Sequence, residues 1–356
     1  METVQVLDGR GSAEAVAVSA AAAQHQLIFA PPGGGEDGRL HLPPTISPEY
    51  GSFKKMTVAD AHYDLASLRW GCTTLLDICG RLQLDDPLAG KWEDVLRRLT
   101  PYPTDENGFL IGRDQPMEFG HRHFSHLLAV FPLHLISGDE EEERELILKS
   151  LRHWLGDEGD LRGFTFTGAA SIAATIGRGQ EALQYVRTAL DLFKPNTMYK
   201  EAGPVIESPL AAAEAINDML LQSWGDAIRV FPAVPEEWED VTFHDLRAEG
   251  AFLVSAVRRG GRTRLIRVKS LAGELCRLKT DWRSDDPVRL EAGLELAYKR
   301  LDGGLFELEL GPGEEAVLVC GEAEEDRAIR PVPDVPHLHN YFGGPKPWRL
   351  YGIPFE

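Results

Sequence analysis

Three short stretches of this chain carry residues whose types and spacing could do chemistry. In Thr45-Ile46-Ser47-Pro48-Glu49-Tyr50-Gly51 a carboxyl stands on a loop that Pro48 and Gly51 stiffen and turn. Beside Tyr50 and Phe53 it would lose part of its water and its pKa would rise, so Glu49 could hold a proton as a general acid. Spacing alone favours the plainer alternative, a solvated turn with an incidental glutamate. In His121-Arg122-His123-Phe124-Ser125-His126, three imidazoles and a guanidinium crowd together in a chain with only 11 histidines. No acidic or cysteine ligand at suitable spacing completes a metal set around His123 and His126, so neither a metal nor a cofactor is expected. Imidazole and guanidinium donors suit ring hydroxyls, which makes Arg122 and His123 candidates for holding a sugar, with Phe124 packing behind them. His126 reads as a core histidine bonded to backbone. The third stretch is Gly203-Pro204-Val205-Ile206-Glu207-Ser208-Pro209-Leu210. Ser208 fits a helix N-cap and Pro209 a first helical residue, so Glu207 would sit at the positive helix end, ionised and with its pKa held down. Such a carboxylate can act as a base, and it can equally do no more than complement the dipole.

Two carboxyls tuned in opposite directions are what glycoside hydrolysis requires: one protonates the leaving oxygen, the other activates water or attacks carbon. Glu49 and Glu207 are far apart along the chain, so only the fold could bring them together. The elements expected to position them are helical. Leu65, Leu68, Cys72, Leu75, Cys79 and Leu82 step by three and four along one apolar face. Asp86-Pro87 opens a second helix toward Trp92, Val95, Leu96 and Leu99, and a Pro/Gly-rich loop follows over 101–120. Helical patterns return near 124–131, 141–155, 168–176, 180–193 and 209–224. After Ile228 the pattern changes: 252–257 and 265–271 read as strands joined by a hairpin at Arg259-Gly260-Gly261-Arg262, and 297–301 with 305–310 repeat it around Asp302-Gly303-Gly304. Residues 316–320 supply one more strand.

Composition narrows the partners. The 356 residues are 43% hydrophobic and 26% charged, an ordinary globular balance long enough for two units. With 37 basic against 56 acidic residues, the net charge is −19. That charge repels phosphate backbones and anionic membranes, so no nucleic-acid or membrane partner is expected, whereas a neutral carbohydrate substrate is not penalised. The four cysteines form no CxxC pair, and Cys72 and Cys79 read as buried free thiols on one helix face. No apolar run is long enough to span a bilayer and no secretory signal is visible, so a cytoplasmic location is the default expectation.

Taken together, Ser47-Pro48-Glu49, His121-Arg122-His123-Phe124-Ser125-His126-Leu127 and Met219-Leu220-Leu221-Gln222-Ser223, with Ile228-Arg229-Val230-Phe231-Pro232-Ala233-Val234-Pro235, resemble glycoside hydrolase family 95 from about residue 39 to about 275. That family includes inverting α-L-fucosidases and α-L-galactosidases. The resemblance implies an (α/α)6 barrel followed by a β-domain, with Glu49 as the general acid and Arg122 and His123 contacting the sugar. Glu207 aligns with the family's basic Asp, without the Gly-Asn-Phe-Gly that follows it there, and Glu201 stands in place of a His. An HHNTD-like motif that positions the water in the family has no counterpart ahead of Glu49.

The expectation is therefore a mainly α chain. A partial or complete (α/α)6-barrel-like helical domain over 41–227 would be followed by a small antiparallel β-domain over 228–322, with an irregular leader over 1–40 and an extended tail over 323–356. The expected function is an inverting exo-acting glycoside hydrolase on a terminal α-L-fucoside, α-L-galactoside or similar sugar. The alternative is a catalytically impaired carbohydrate-binding remnant or a fragment of a longer hydrolase. An incomplete barrel would leave apolar faces for self-association or for a missing N-terminal portion to cover.

Overall fold

The longest helix, α1 (His62–Leu82), buries Leu65, Cys72 and Leu75 along one stripe. It packs on α2 (Ala89–Arg98), whose Trp92 and Val95 meet that stripe together with Leu99, Leu40 and Leu42. The computed structural model describes residues 33–34, 37–46, 50, 57–156, 160–192, 206–291, 298–321 and 329, and the chain forms two compact units, 1–159 and 160–356. α1 ends where Gln83 turns left-handed and returns its N–H to the carbonyls of Cys79 and Gly80. Among the described residues no helix is long and apolar enough to cross a membrane.

The rest of the first unit is held by short pairings rather than long elements. β1 (Gly33–Gly34) pairs with β2 (Leu40–His41), and β3 (Thr45–Ile46) with β4 (Thr57–Val58), both antiparallel. The second pair is the neck of the segment 47–56. That neck is tied to the start of α1, because Tyr63 donates its hydroxyl to the Ile46 carbonyl at 2.7 Å and Thr45 donates to Asp64. In the Pro/Gly-rich loop, β5 (Thr104–Asp105) and β6 (Gly108–Phe109) form a hairpin. Gly108 has φ +122°, and any Cβ there would strike Ser150 of α3 (Glu141–Gly156), whose hydroxyl instead accepts the Phe109 N–H at 2.8 Å.

One buried carboxylate gathers these pieces. Asp60 is 3% exposed and itself left-handed at φ 47°. It accepts the Leu42 N–H at 2.6 Å and Arg113 Nε–H at 2.8 Å, with His41 Nδ1 also 2.8 Å away. Around it, His62 N–H donates to Ile111 and Arg113 N–H to Ala59, each at 2.8 Å. A buried charge is tolerated only when paired and hydrogen-bonded, and here the pairing joins three segments.

In the second unit α4 (Gly163–Thr175) is buried along nearly its whole length and is built of small residues, among them Gly168, Ala169, Ala170, Ala173 and Ala174. Small side chains let two helices approach it, α5 (Gly179–Asp191) and α6 (Glu207–Leu220). Gly179 presses on the backbone of Ala233, leaving no room for a Cβ. α6 runs directly into β7 (Leu221–Trp224), which turns through Gly225 and Asp226, both at positive φ, into β8 (Ala227–Val230). Two positive φ values in succession are what a tight two-residue hairpin requires. Gln222 pins this junction: its Nε2 donates to the carbonyls of Ala174 and Asp218, and its Oε1 accepts Trp224 Nε1–H.

Beyond the hairpin lie β9 (Val241–Ala248), β10 (Phe252–Arg259), β11 (Arg262–Ser270), β12 (Leu275–Lys279), β13 (Val288–Glu291), β14 (Tyr298–Arg300), β15 (Leu305–Glu309) and β16 (Glu315–Cys320). They form two five-stranded sheets, β13-β16-β11-β10-β9 and β14-β15-β12-β8-β7. A common core fills between them, with Val254, Ala256, Ile266, Val268 and Leu318 from one sheet and Val230, Leu278, Phe306 and Leu308 from the other. Trp282 joins this core and donates its Nε1–H to the Thr263 carbonyl at 2.8 Å.

The mainly α expectation is corrected. Among the described residues 37% are helical and 27% are in strands, with six helices and two five-stranded sheets. The strand content exceeds the expectation because 221–224, 227–230, 241–248, 275–279 and 288–291 also enter the sheets. Several of these are short, and a short apolar run carries little period of its own. The helix expected over 124–131 reduces to a 3-10 turn at Ser125–Leu127, with Pro132 unable to continue a helix. Nor is the β-domain wholly antiparallel, because β8 and β12 pair in parallel.

Replacing Asp60 with Ala should destabilise the first unit by about 3 kcal/mol, since Arg113 and the Leu42 N–H lose their acceptor. Urea denaturation of the purified variant measures this, and a midpoint equal to the parent's would show that Asp60 is not the hub.

Candidate functional site

The turn bearing Arg122 and His123 is fastened from two sides within the first unit. From α3, Trp154 donates Nε1–H to the His121 carbonyl at 2.7 Å while its ring packs against Phe124 and, edge-on, against His126. Next to it, His153 Nε2 lies 2.7 Å from the Met117 carbonyl, as a donor. These contacts follow from the sequence of α3, which buries Ile147, Leu151 and Trp154 on one face. Within the turn, His121 Nδ1 accepts the His123 N–H at 3.2 Å, so the neutral ring carries its proton on Nε2. Arg122 and His123 are half-buried, whereas His121 is buried.

The second fastening is Tyr50, which is 2% exposed. Its ring stacks on Phe119 at 4.7 Å with an interplanar angle of 11° and meets His121 edge-on at 5.8 Å. Its hydroxyl accepts the Glu118 N–H. Glu49 itself lies outside the described residues, as do Ser47 and Pro48. Tyr50, the one described residue between 47 and 56, is clamped against the histidine-rich turn. The sequence marks Tyr50 only as a desolvating neighbour and His121 only as a member of the histidine cluster, and it singles out neither Phe119 nor Trp154. The signals available were an aromatic directly after the carboxyl and a Trp on the apolar stripe of α3.

Beneath the turn, His62 and His126 are buried, with the Ser125 backbone beside His62 and the Ser150 backbone beside His126. The core assignment of His126 stands, with the Ser150 backbone beside its ring. His62 is enclosed by Tyr102, stacked at 4.5 Å, and by Phe109. Burial pushes the pKa of His62 well below the ordinary histidine value, with His126 and Arg69 adding to the effect. Burial, with His153, likewise drives His126 down to about 3. Both rings are neutral at physiological pH, and no group of three or more His, Cys, Asp or Glu suited to a metal exists among the described residues.

Glu207 belongs to the second unit. It is the first residue of α6 and is exposed. The expected cap is corrected: Ile206, not Ser208, occupies the N-cap, and Ser208 lies fully buried inside the first turn. Further along the same helix Asp218 is a second, unforeseen carboxyl. Burial raises its pKa to about 7 against a hydrogen bond from Ser171, with Glu214 adding repulsion. Its Oδ2 has no partner. Asp218 thus faces α4 as a neutral acid at mildly acidic pH. Glu201, the position aligned with a family His, lies outside the described residues.

Comparison with known proteins gives a consistent pattern. The model of the glycosyl hydrolase family 95 catalytic domain matches residues 20–220, and that of the glycoside hydrolase family 95 C-terminal domain matches 222–316. Alpha-L-fucosidase 2 of Arabidopsis thaliana is 26% identical over 246 residues, covering 62% of this chain and 29% of that protein. The chain thus spans less than a third of that relative's length. Among solved structures, a human-microbiome protein described as a kojibiose phosphorylase is 12% identical, with 82% of this chain and 41% of that chain covered and a TM-score of 0.47. The GH127 β-L-arabinofuranosidase of Geobacillus stearothermophilus T6 is also 12% identical, with 72% and 41% covered and a TM-score of 0.20. Both scores fall short of the level at which a shared fold follows.

The two buried titrations have opposite signs. The unfolded histidines bind protons below about pH 6.5, and the folded ones do not. Stability from His62 and His126 is therefore present above that pH and lost as pH falls, by roughly 1.4 kcal/mol per unit for each ring. His126→Leu should make urea midpoints between pH 6.5 and 4 fall less steeply than in the parent, and an unchanged slope would count against the neutral ring. Asp218 keeps its proton when folded up to about pH 7 but loses it near 3.8 when unfolded. Its contribution is complete below pH 3.8 and is lost as pH rises through 7, a change on the order of 4 kcal/mol. At pH 8 Asp218→Asn should therefore be more stable than the parent, which thermal unfolding across pH will check.

Proposed function

Because the chain belongs to glycoside hydrolase family 95, we propose that it acts, alone or as part of a longer protein, in the inverting hydrolysis of a terminal α-L-fucoside, α-L-galactoside or similar sugar. In this reading residues 41–227 carry the catalytic part, 228–322 the β-domain, and 1–40 and 323–356 a leader and a tail. Glu49 is the general acid, Glu207 the base, and Arg122 and His123 hold the sugar. The observation that supports it most is the clamp described above: Tyr50, covalently next to Glu49, packs against His121, the neighbour of Arg122. An acid loop and a sugar-holding turn must be fixed to each other, because a displaced catalytic group loses its rate advantage steeply.

The roles follow from the side chains. Arg122 keeps its charge at all relevant pH and offers a rigid fork of donors to adjacent hydroxyls. His123 can donate or accept, so it suits a further hydroxyl. Glu49, stripped of some water, would protonate the leaving oxygen, and Glu207 would take a proton from the attacking water. Inversion requires roughly 6.5–9.5 Å between the two carboxyls to leave space for that water. Glu207 is one methylene longer than the Asp of the family, so its backbone would stand slightly further back.

A second reading is favoured by a specific departure. Val205-Ile206-Glu207-Ser208-Pro209-Leu210 lacks the Gly-Asn-Phe-Gly that follows the family base, which fits a sugar-binding remnant that no longer turns over.

The two readings separate on binding against turnover. Arg122→Ala should weaken L-fucose or L-galactose binding by about tenfold to a hundredfold, the worth of one or two charge-assisted hydrogen bonds. Glu49→Gln should keep binding and lose at least about a hundredfold in turnover of an aryl α-L-fucoside. Calorimetry and a chromogenic assay on the same preparations measure both. Parental sugar binding by Arg122→Ala would move the site elsewhere, and binding without turnover in the parent would select the remnant.

A further inference from the structure

Two consecutive residues of α3 grip the chain as it enters the histidine-rich turn. His153 and Trp154 each direct a ring N–H at a main-chain carbonyl, His153 at Met117 and Trp154 at His121, both at 2.7 Å. α3 can act as a template because its own place is fixed. Ile147 and Trp154 are fully buried and Leu151 nearly so, and Ser150 takes the Phe109 N–H. The Trp154 ring also packs on Phe124, with centroids 5.5 Å apart, and meets His126 edge-on at 6.0 Å, so the indole is not free to swing its donor away.

The bond to His121 matters for the residue that follows it. A peptide unit is planar, so holding its carbonyl holds the whole plane. The His121 carbonyl belongs to the 121–122 peptide. The His123 N–H, which His121 Nδ1 accepts at 3.2 Å, belongs to the 122–123 peptide. Both planes that flank Arg122 are therefore fastened, and two planes meeting at one Cα set the direction in which the side chain leaves it. We propose that Trp154 is a positioning residue for the sugar-holding turn: its indole N–H fixes the 121–122 peptide and so aims the Arg122 guanidinium and, one residue on, the His123 ring. The inference rests on the reading above that Arg122 and His123 hold the sugar, and on no assignment of the acid or the base. A long side chain magnifies any small turn of its backbone, so groups that hold a ligand need a packed layer behind them to lock their geometry. Trp154 is fully buried and acts only through that layer.

The test compares Trp154→Phe with Phe124→Leu in the full chain. The phenylalanine keeps an aromatic ring in the core and removes the donor, whereas the leucine trims the packing on Trp154 and leaves the donor in place. Calorimetric titration with L-fucose and L-galactose should show Kd raised about tenfold in Trp154→Phe, the worth of one such hydrogen bond, and within about threefold of the parent in Phe124→Leu. In an Arg122→Ala background the Trp154→Phe effect should shrink to about threefold or less, because both changes act on one contact. Hydrogen exchange should be at least about tenfold faster at the Arg122 and His123 amides of Trp154→Phe, with or without sugar. The parent supplies a measurement that needs no variant: L-fucose should shift the Trp154 indole N–H resonance, since the carbonyl it meets belongs to the peptide of Arg122. A tryptophan with a purely structural role would leave Kd unchanged and lower the binding stoichiometry together with the unfolding midpoint. That result would overturn the inference. So would parental exchange at both amides, equal weakening by Phe124→Leu, a full effect surviving in Arg122→Ala, or an indole resonance that ignores the sugar. A parent that binds neither sugar would overturn the reading beneath and this role with it, and the exchange rates would tell whether the fastening or the ligand was at fault.

Discussion

The first unit depends on a carboxylate almost closed to water. Asp60 sits at the crossing of the 40–42 strand, the entry to α1 and the 111–113 segment, and takes hydrogen bonds from each side. Ionised oxygens away from solvent demand donors, so the three segments are obliged to meet there. Much else in that unit follows from the meeting. The β3–β4 neck ends just before Asp60, and the β5–β6 hairpin ends just before the 111–113 segment that Asp60 holds. Gly112 has to be a glycine because a Cβ would enter Val58 and the Ala59 carbonyl. Where elements are only two residues long, a single satisfied charge does the joining that a sheet ladder does elsewhere.

The histidine-rich turn illustrates how one motif can serve two ends. His126 and His62 lie in the apolar layer beneath, while Arg122 and His123 are left half-buried above. Trp154 separates the layers: its ring packs on Phe124 and His126 and its N–H holds the His121 carbonyl. An indole suits the task because it combines a large apolar body with one directed donor. Burying the imidazoles below has a cost, which takes the form of depressed basicity rather than a broken fold.

In the second unit the decisive feature is the passage from helix to sheet without a loop. α6 gives way to β7 at Leu221, and Gln222 satisfies the end of α4, the last turn of α6 and the Trp224 indole at once. Arg229 lies over the Trp224 ring at 3.5 Å and donates to the Trp224 carbonyl. The MLLQS and IR stretches that carry much of the family resemblance are thus explained largely by this junction. Asp218, one turn before Gln222, adds a neutral acid to the same α4–α6 seam.

Local pattern alone determined a good deal. The stepping of Leu65, Cys72 and Leu75 placed α1, because an apolar stripe at helical spacing has few other solutions. The Gly260-Gly261 and Gly303-Gly304 pairs placed two hairpins, because positive φ comes cheaply only to glycine and both pairs adopt it. The crowding of histidines marked the turn, and motif order identified the family. Tertiary structure decided the rest. Whether 221–230 and 275–279 were strand depended on partners: β8 pairs with β12 across many intervening residues, and a four-residue strand has no period of its own to announce it. His126 was legible as a core histidine, but the burial of His121 was not, since His121 and His123 differ only in what packs against them. Asp60 and Asp218 look alike in the sequence, yet one is ringed by donors and the other has an oxygen with none. Burial and pairing are properties of distant segments brought together, and residue type and spacing record neither.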